Sequence, residues 1–152
     1  MATETRRHRA LPHTADAGIM AMASTLPSLL EEAATCLAEL SAEFGPGVQA
    51  AHWEDVVLES DDLMGLLYAW LNELVALADI HHGVVVATRI ALLDGPEAAD
   101  ASGPWRLRAR VGLCGRGQPG IRLLRQPKSA TYHRLAVERK GVCWTLRAYL
   151  DL

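Results

Sequence analysis

The chain is short of the features that announce a chemistry. Cysteine occurs three times in 152 residues, as Cys36, Cys114 and Cys143, with no CxxC spacing. An odd count without a secretory leader argues against a disulfide framework and fits free thiols in a reducing cytoplasm. The N-terminal stretch Met1–Arg9 is basic but lacks the apolar centre of a leader. No apolar run approaches the roughly 18 residues needed to span a bilayer. Fifteen Lys and Arg stand against 18 Asp and Glu, giving a net charge of −3 and a pI near 6.0. That balance excludes a chain that binds nucleic acid through bulk positive charge, while leaving room for a local basic face. There is no P-loop, GxSxG, HExxH or diagnostically spaced Cys–His pair, and no internal repeat or low-complexity segment. Nothing local specifies an enzyme.

What is present has the composition of a globular core: half the residues are hydrophobic and 22% are charged. The expected organisation is a flexible N-terminal tail over residues 1–10 and a single domain over 11–152. Ile19 to Ala23 reads as a strand. Ser24-Thr25 offers a helix cap, and Pro27 falls in the first turn. Leu26, Leu29, Leu30, Ala33, Leu37 and Leu40 recur at helical spacing up to the breaker Phe44-Gly45-Pro46-Gly47. Cys36 falls near that apolar side and reads as a small buried hydrophobe.

A short strand follows from Trp53 to Glu59. Ser60-Asp61-Asp62 then caps a second helix whose core side is Leu63, Leu66, Leu67, Trp70, Leu71, Leu74 and Leu77. From Val84 onward the period alternates, with strands over Val84–Leu93, Trp105–Cys114, Ser129–Glu138 and Val142–Leu150. Loops separate them, and a hairpin turn lies at Arg139-Lys140-Gly141. Strands gathered after the helices indicate an α+β fold, with both helices packed on one face of a mainly antiparallel or mixed sheet.

Candidate functional residues lie at the two ends. His13-Thr14-Ala15-Asp16-Ala17-Gly18 precedes the first strand, and Asp151 stands before Leu152. Two or three clustered carboxylates repel unless a cation or protons intervene, and such hard oxygens suit Ca²⁺ or Mg²⁺ better than Zn²⁺. The plainer alternative makes Asp16 a turn cap and Asp151 a solvated end residue. His13, Asp16 and His133 could instead serve a small metal-dependent hydrolase, although a lone His beside a strand is more often a structural hydrogen bonder. Arg106, Arg108 and Arg110 form a basic stripe on the outer face of their strand, read as a solvated face before a contact for RNA or an acidic partner.

Four colinear segments together resemble the archease family: the hexapeptide His13–Gly18, Trp70-Leu71-Asn72-Glu73-Leu74, Lys128-Ser129-Ala130-Thr131-Tyr132-His133 and Tyr149-Leu150-Asp151-Leu152. The resemblance spans about Leu11 to Leu152. It implies a non-catalytic accessory protein that activates an RtcB-type RNA ligase in tRNA splicing and RNA repair, promoting guanylylation and multiple turnover of the ligase. It also implies a divalent cation, Ca²⁺ with Mg²⁺ as the alternative, held by Asp16, Asp151 and an oxygen of Leu152. Lys128, His13 and Glu73 would be partner-binding or functional positions. RNA would be met only indirectly or weakly, in the cytoplasm and away from membranes. The family's history of modulating partners also leaves a chaperone-like binding role open. The segment Gly115–Gln126, read as a loop, departs from the family pattern by carrying Arg116, Arg122 and Arg125.

Overall fold

Thr25 decides where the first helix begins. Its backbone is extended, and its side-chain oxygen accepts the Ser28 N–H at 3.3 Å, satisfying one of the free donors of the first turn. In this computed structural model, which describes residues 5–11, 16–96 and 103–152, helix α1 runs Leu26–Ser41 with Pro27 in its opening turn. Leu29, Leu30, Ala33, Ala34, Cys36 and Leu37 are buried along one side. Burial pushes the Cys36 thiol up to about 11, so it stays protonated and unreactive at neutral pH.

Helix α2, Leu63–Ile80, starts at Asp62, whose Oδ1 accepts the Gly65 N–H at 2.7 Å. By length and composition α2 could cross a bilayer, with a mean hydropathy of 1.4. Asn72, Glu73 and Asp79 interrupt its apolar residues. Seven of its large apolar side chains, Leu63 to Leu77 at helical spacing, are buried in the protein core, the placement of a core helix.

The strands are β1 (Arg6–Leu11), β2 (Asp16–Ala23), β3 (Ala42–Phe44), β4 (His52–Ser60), β5 (Gly83–Asp94), β6 (Trp105–Gly115), β7 (Ile121–Leu123), β8 (Ser129–Lys140) and β9 (Cys143–Asp151). They form three antiparallel sheets, ordered β1-β2-β9-β8, β3-β7 and β4-β6-β5. The fold is α+β, as expected. The single sheet is not: both helices pack against both larger sheets, so their apolar sides are covered from two directions. Strand alternation reports which face is buried and not which strands pair, so the split left no mark in the pattern.

Two further corrections have the same origin. Residues 6–10 of the expected tail belong, with Leu11, to an edge strand on β2. This strand is mostly polar because its docking is ionic: Arg6 reaches Glu32 at 3.1 Å, while the His8 ring meets Glu32 and Glu39 of α1, both at 2.6 Å. The supposed loop after Gly115 contains β7, which pairs with β3 just past α1. Arg122 clasps Glu43 through two hydrogen bonds of 2.9 and 2.7 Å, and the Leu124 and Arg125 N–H groups donate to the Ser41 carbonyl. The basic residues of this segment are thus partly spent on docking it.

His8 gives the β1–α1 contact a pH dependence. Partial burial lowers its pKa, but the hydrogen bonds and charges of Glu32 and Glu39 outweigh this and raise it above the ordinary value of 6.5. A raised folded-state pKa stabilises below the unfolded value, and the contribution disappears as pH climbs through the folded one. Wild type is therefore expected to melt higher than His8→Gln in mild acid, with the gap closing in alkali. The change stays within about 1 kcal/mol, the scale of partly exposed ion pairs. Thermal melts of both proteins across that pH range check it; a constant gap would remove the assignment.

Candidate functional site

The antiparallel register of β2 on β9 brings the two ends of the chain together. Asp16 stands opposite Asp151, and the pairing continues to Ala23 opposite Trp144. On its other side Asp151 is opposite Ser129 of β8. The Ser129 hydroxyl donates to Asp151 Oδ2 at 3.2 Å, and the Lys128 N–H donates to the Asp151 carbonyl at 2.7 Å. Asp151 is exposed, and Leu152 follows it at the surface. The Asp151 carboxylate is a hard-oxygen donor, the chemistry a Ca²⁺- or Mg²⁺-type ion takes. His13 lies outside the described residues.

Gly18, the end of the hexapeptide, has a packing reason. A Cβ there would lie 2.8 Å from the Leu11 Cβ and 2.9 Å from Tyr149 Cε1. Only glycine lets β1 and the Tyr149 ring close over β2 at this level.

The second segment of the resemblance is mainly a brace. Trp70 is fully buried and donates its indole N–H to the Leu30 carbonyl at 3.0 Å, tying α2 to α1. Asn72 presents its amide to the outer edge of β8: Oδ1 accepts the Ala130 N–H at 2.9 Å, and Nδ2 donates to the Ala130 carbonyl at 3.3 Å. It mimics one rung of a further strand. Glu73 is half-buried on the same helix. Lys128 is exposed just before β8 and lines a surface groove with Asn72, Asp79, Gln126 and Pro127. Sequence spacing marks Asn72 only as an edge residue of α2; its role becomes visible once β8 is seen to be an edge strand.

Beyond Thr131, β8 bulges out of register with β9 until Ala136, and Arg134 takes a left-handed φ of 61°. Tyr132 stacks on Tyr68 of α2, ring centres 4.1 Å apart, which pins the bulge. His133 lies exposed on it, its carbonyl accepting the Thr131 hydroxyl at 3.4 Å. The structure thus places His133 on a surface excursion of β8. The arginine stripe points outward as read, with Arg106 and Arg110 facing Glu59 and Asp55 across β4 at 3.6 and 3.5 Å. It is a solvated face laced with opposite charge, not an open basic track.

One constellation escaped the sequence reading. His52 and Glu54 of β4 meet His81, just past α2, and both imidazole Nε2 atoms approach Glu54 Oε1. The only sequence signal was the shared parity of residues 52 and 54.

Residues 8–152 match the Archease protein family (MTH1598/TM1083). Similar curated proteins are the protein archease of Pyrobaculum neutrophilum, 29% identical and covering 92% of this chain and 91% of its own length, and that of Methanosarcina acetivorans, 25% identical over all of both. The solution structure of Methanobacterium thermoautotrophicum protein 1598 superposes with a TM-score of 0.73 at 25% identity, covering 95% of this chain and 98% of that one. The crystal structure of a Thermotoga maritima archease, described as a possible chaperone, shares the fold with a TM-score of 0.60 at 17% identity, covering 95% and 96%. A match over nearly the whole chain, on a fold that joins both ends in one sheet, makes this chain a member of the archease family.

Proposed function

We propose that this protein is a non-catalytic activator of an RtcB-type RNA ligase, promoting guanylylation and multiple turnover of the ligase during tRNA splicing and RNA repair. The observation that carries the reading is family membership over residues 8–152. The β2–β9 register supports it, because it sets Asp16 opposite Asp151 at one rim of the four-stranded sheet. Asp16, Asp151 and an oxygen of Leu152 would hold a Ca²⁺ ion, or Mg²⁺ in its place. When bound, such an ion supplies charge compensation between the carboxylates. The chain's own groups do the rest. Ser129 orients the Asp151 carboxylate, and the Lys128 N–H fixes the Asp151 carbonyl. Lys128, Glu73 and His13 offer charged or polar groups to the ligase. RNA is met through the ligase, in the cytoplasm, where the three free cysteines remain reduced.

The test combines the protein with a cognate ligase, GTP and divalent ion, and measures covalent guanylylation and turnovers per ligase. Wild type is expected to raise both, with Asp151→Asn and Lys128→Ala losing most of the effect. No change with a demonstrably competent ligase would sink the reading. Suppression of aggregation without any ligase would instead favour the chaperone-like role, for which the description of the Thermotoga relative is the motive. Ca²⁺ at a hundredfold excess over Kd is expected to stabilise wild type by about 2.7 kcal/mol, and Asp16→Asn or Asp151→Asn to abolish most of that. A wild-type melting temperature indifferent to Ca²⁺ would remove the ion.

A further inference from the structure

The cluster at the far end of α2 has the makings of a metal site of a different kind. His52 and Glu54 share a parity on β4, an edge strand of the three-stranded sheet. His81 is the residue that caps α2, its N–H donating to the Leu77 and Asp79 carbonyls. Two separately anchored elements therefore bring three ligands to one point. His81 Nε2 lies 3.2 Å from Glu54 Oε1, and His52 Nε2 lies 3.8 Å from the same oxygen. One ligand atom from each residue falls within 4.8 Å of the others, and the two rings sit 5.0 Å apart, tilted by 56°. Ligands of a tetrahedral Zn²⁺, with bonds of about 2.0–2.1 Å, stand about 3.3 Å from one another. The His81–Glu54 separation is already at that distance. The remaining gaps are for His52 to close, and its side chain is 44% exposed.

The electrostatics point the same way. A helix C-terminus carries partial negative charge, and the last turn of α2 contains no basic residue to answer it. Arg116 donates to the Ala78 carbonyl at 3.4 Å, which leaves the later part of that end to the cluster. Imidazole nitrogens favour borderline cations over the hard ones that suit carboxylates alone.

We propose that His52, Glu54 and His81 form a site for a borderline divalent cation of the Zn²⁺ class, with two imidazoles and one carboxylate as protein ligands and the fourth position open to water. The bound ion ties the C-terminal end of α2 to the edge strand β4. The site is independent of the Asp16–Asp151 pair and of the ligase reading.

The experiment titrates Co²⁺ into the full chain with its thiols reduced, follows the visible absorption of the complex, and then displaces Co²⁺ with Zn²⁺. Expected are one equivalent bound, a spectrum without a thiolate charge-transfer band, and no displacement by about a hundredfold excess of Ca²⁺. His52→Ala, His81→Ala and Glu54→Gln should each weaken Zn²⁺ binding by about tenfold or more, and the double histidine variant should abolish it. Zn²⁺ should also raise the melting temperature of wild type but not of His81→Asn, a second variant at the same position. Asp151→Asn should bind Zn²⁺ as wild type does, which separates this site from the proposed Ca²⁺ site. Wild-type affinity in both single histidine variants, a thiolate band pointing to Cys143, or no saturable binding would each overturn the assignment.

Discussion

Trp70→Ala is expected to destabilise the protein by about 3–5 kcal/mol, the cost typical of removing a large aromatic side chain from a packed core. Trp70 is wholly inaccessible to solvent and is the largest such side chain in the core. The substitution leaves a void among the leucines of both helices and also removes the indole donor to Leu30. Small domains are stable by only about 5–15 kcal/mol, so the loss is a large fraction of the whole. Trp70→Phe separates the two contributions. It refills most of the volume but cannot donate to the Leu30 carbonyl, and should cost about 1–2 kcal/mol beyond the change in packing. Urea unfolding followed by far-ultraviolet dichroism measures both variants. A midpoint for Trp70→Ala close to that of wild type would show that α1 and α2 are not joined as described.

Asn72→Asp should be nearly as damaging, and for a reason no volume argument supplies. The asparagine amide both accepts from and donates to Ala130, whose side chain is itself buried. A carboxylate keeps the acceptor and loses the donor, and it sets a negative oxygen against the Ala130 carbonyl. Leaving one buried polar group unsatisfied costs about 1–3 kcal/mol, and more when a charge is involved. Asn72→Ala, which removes both partners, should fall in the lower part of that range for each of the two groups it strands. The effect extends to the rim of the sheet, because Ala130 follows Ser129, which orders Asp151. Hydrogen exchange at Ala130 and Thr131 reads this directly. Protection at Ala130 equal to wild type in Asn72→Ala, which removes the acceptor of its N–H, would mean that the amide does not hold the edge of β8.

The helices were legible because their apolar stripes repeat at a spacing only a helix makes useful; the seven core positions expected of α2 are the seven it buries. The last strand was legible for the matching reason, with Leu146, Ala148 and Leu150 buried and Asp151 exposed. What stayed hidden was pairing. β1 is held by charges and not by an apolar face, and β3 and β7 are three residues each, too short to show a period. The register that sets position 16 opposite position 151 agrees with the family resemblance, which places both near one another. The His52–Glu54–His81 cluster could not, since a helix and a turn lie between its parts and only the fold closes that distance. His13 lies outside the described residues, so the hexapeptide is seen through Asp16, Ala17 and Gly18.

The order of strands in the larger sheet bears on how the chain reaches this state. β9, the final strand of the sequence, sits between β2 and β8. Until it arrives, β1–β2 and β8 have no shared partner, and the sheet exists only as two fragments with open inner edges. The β4–β6–β5 sheet has no such requirement, since its three strands and α2 are contiguous in sequence. Closing the β2–β9 ladder spans most of the chain, which makes the step slow on entropic grounds. Interrupted synthesis or clipping ahead of Cys143 would therefore release a species with its three-stranded sheet complete and two strand edges exposed, the kind that self-associates.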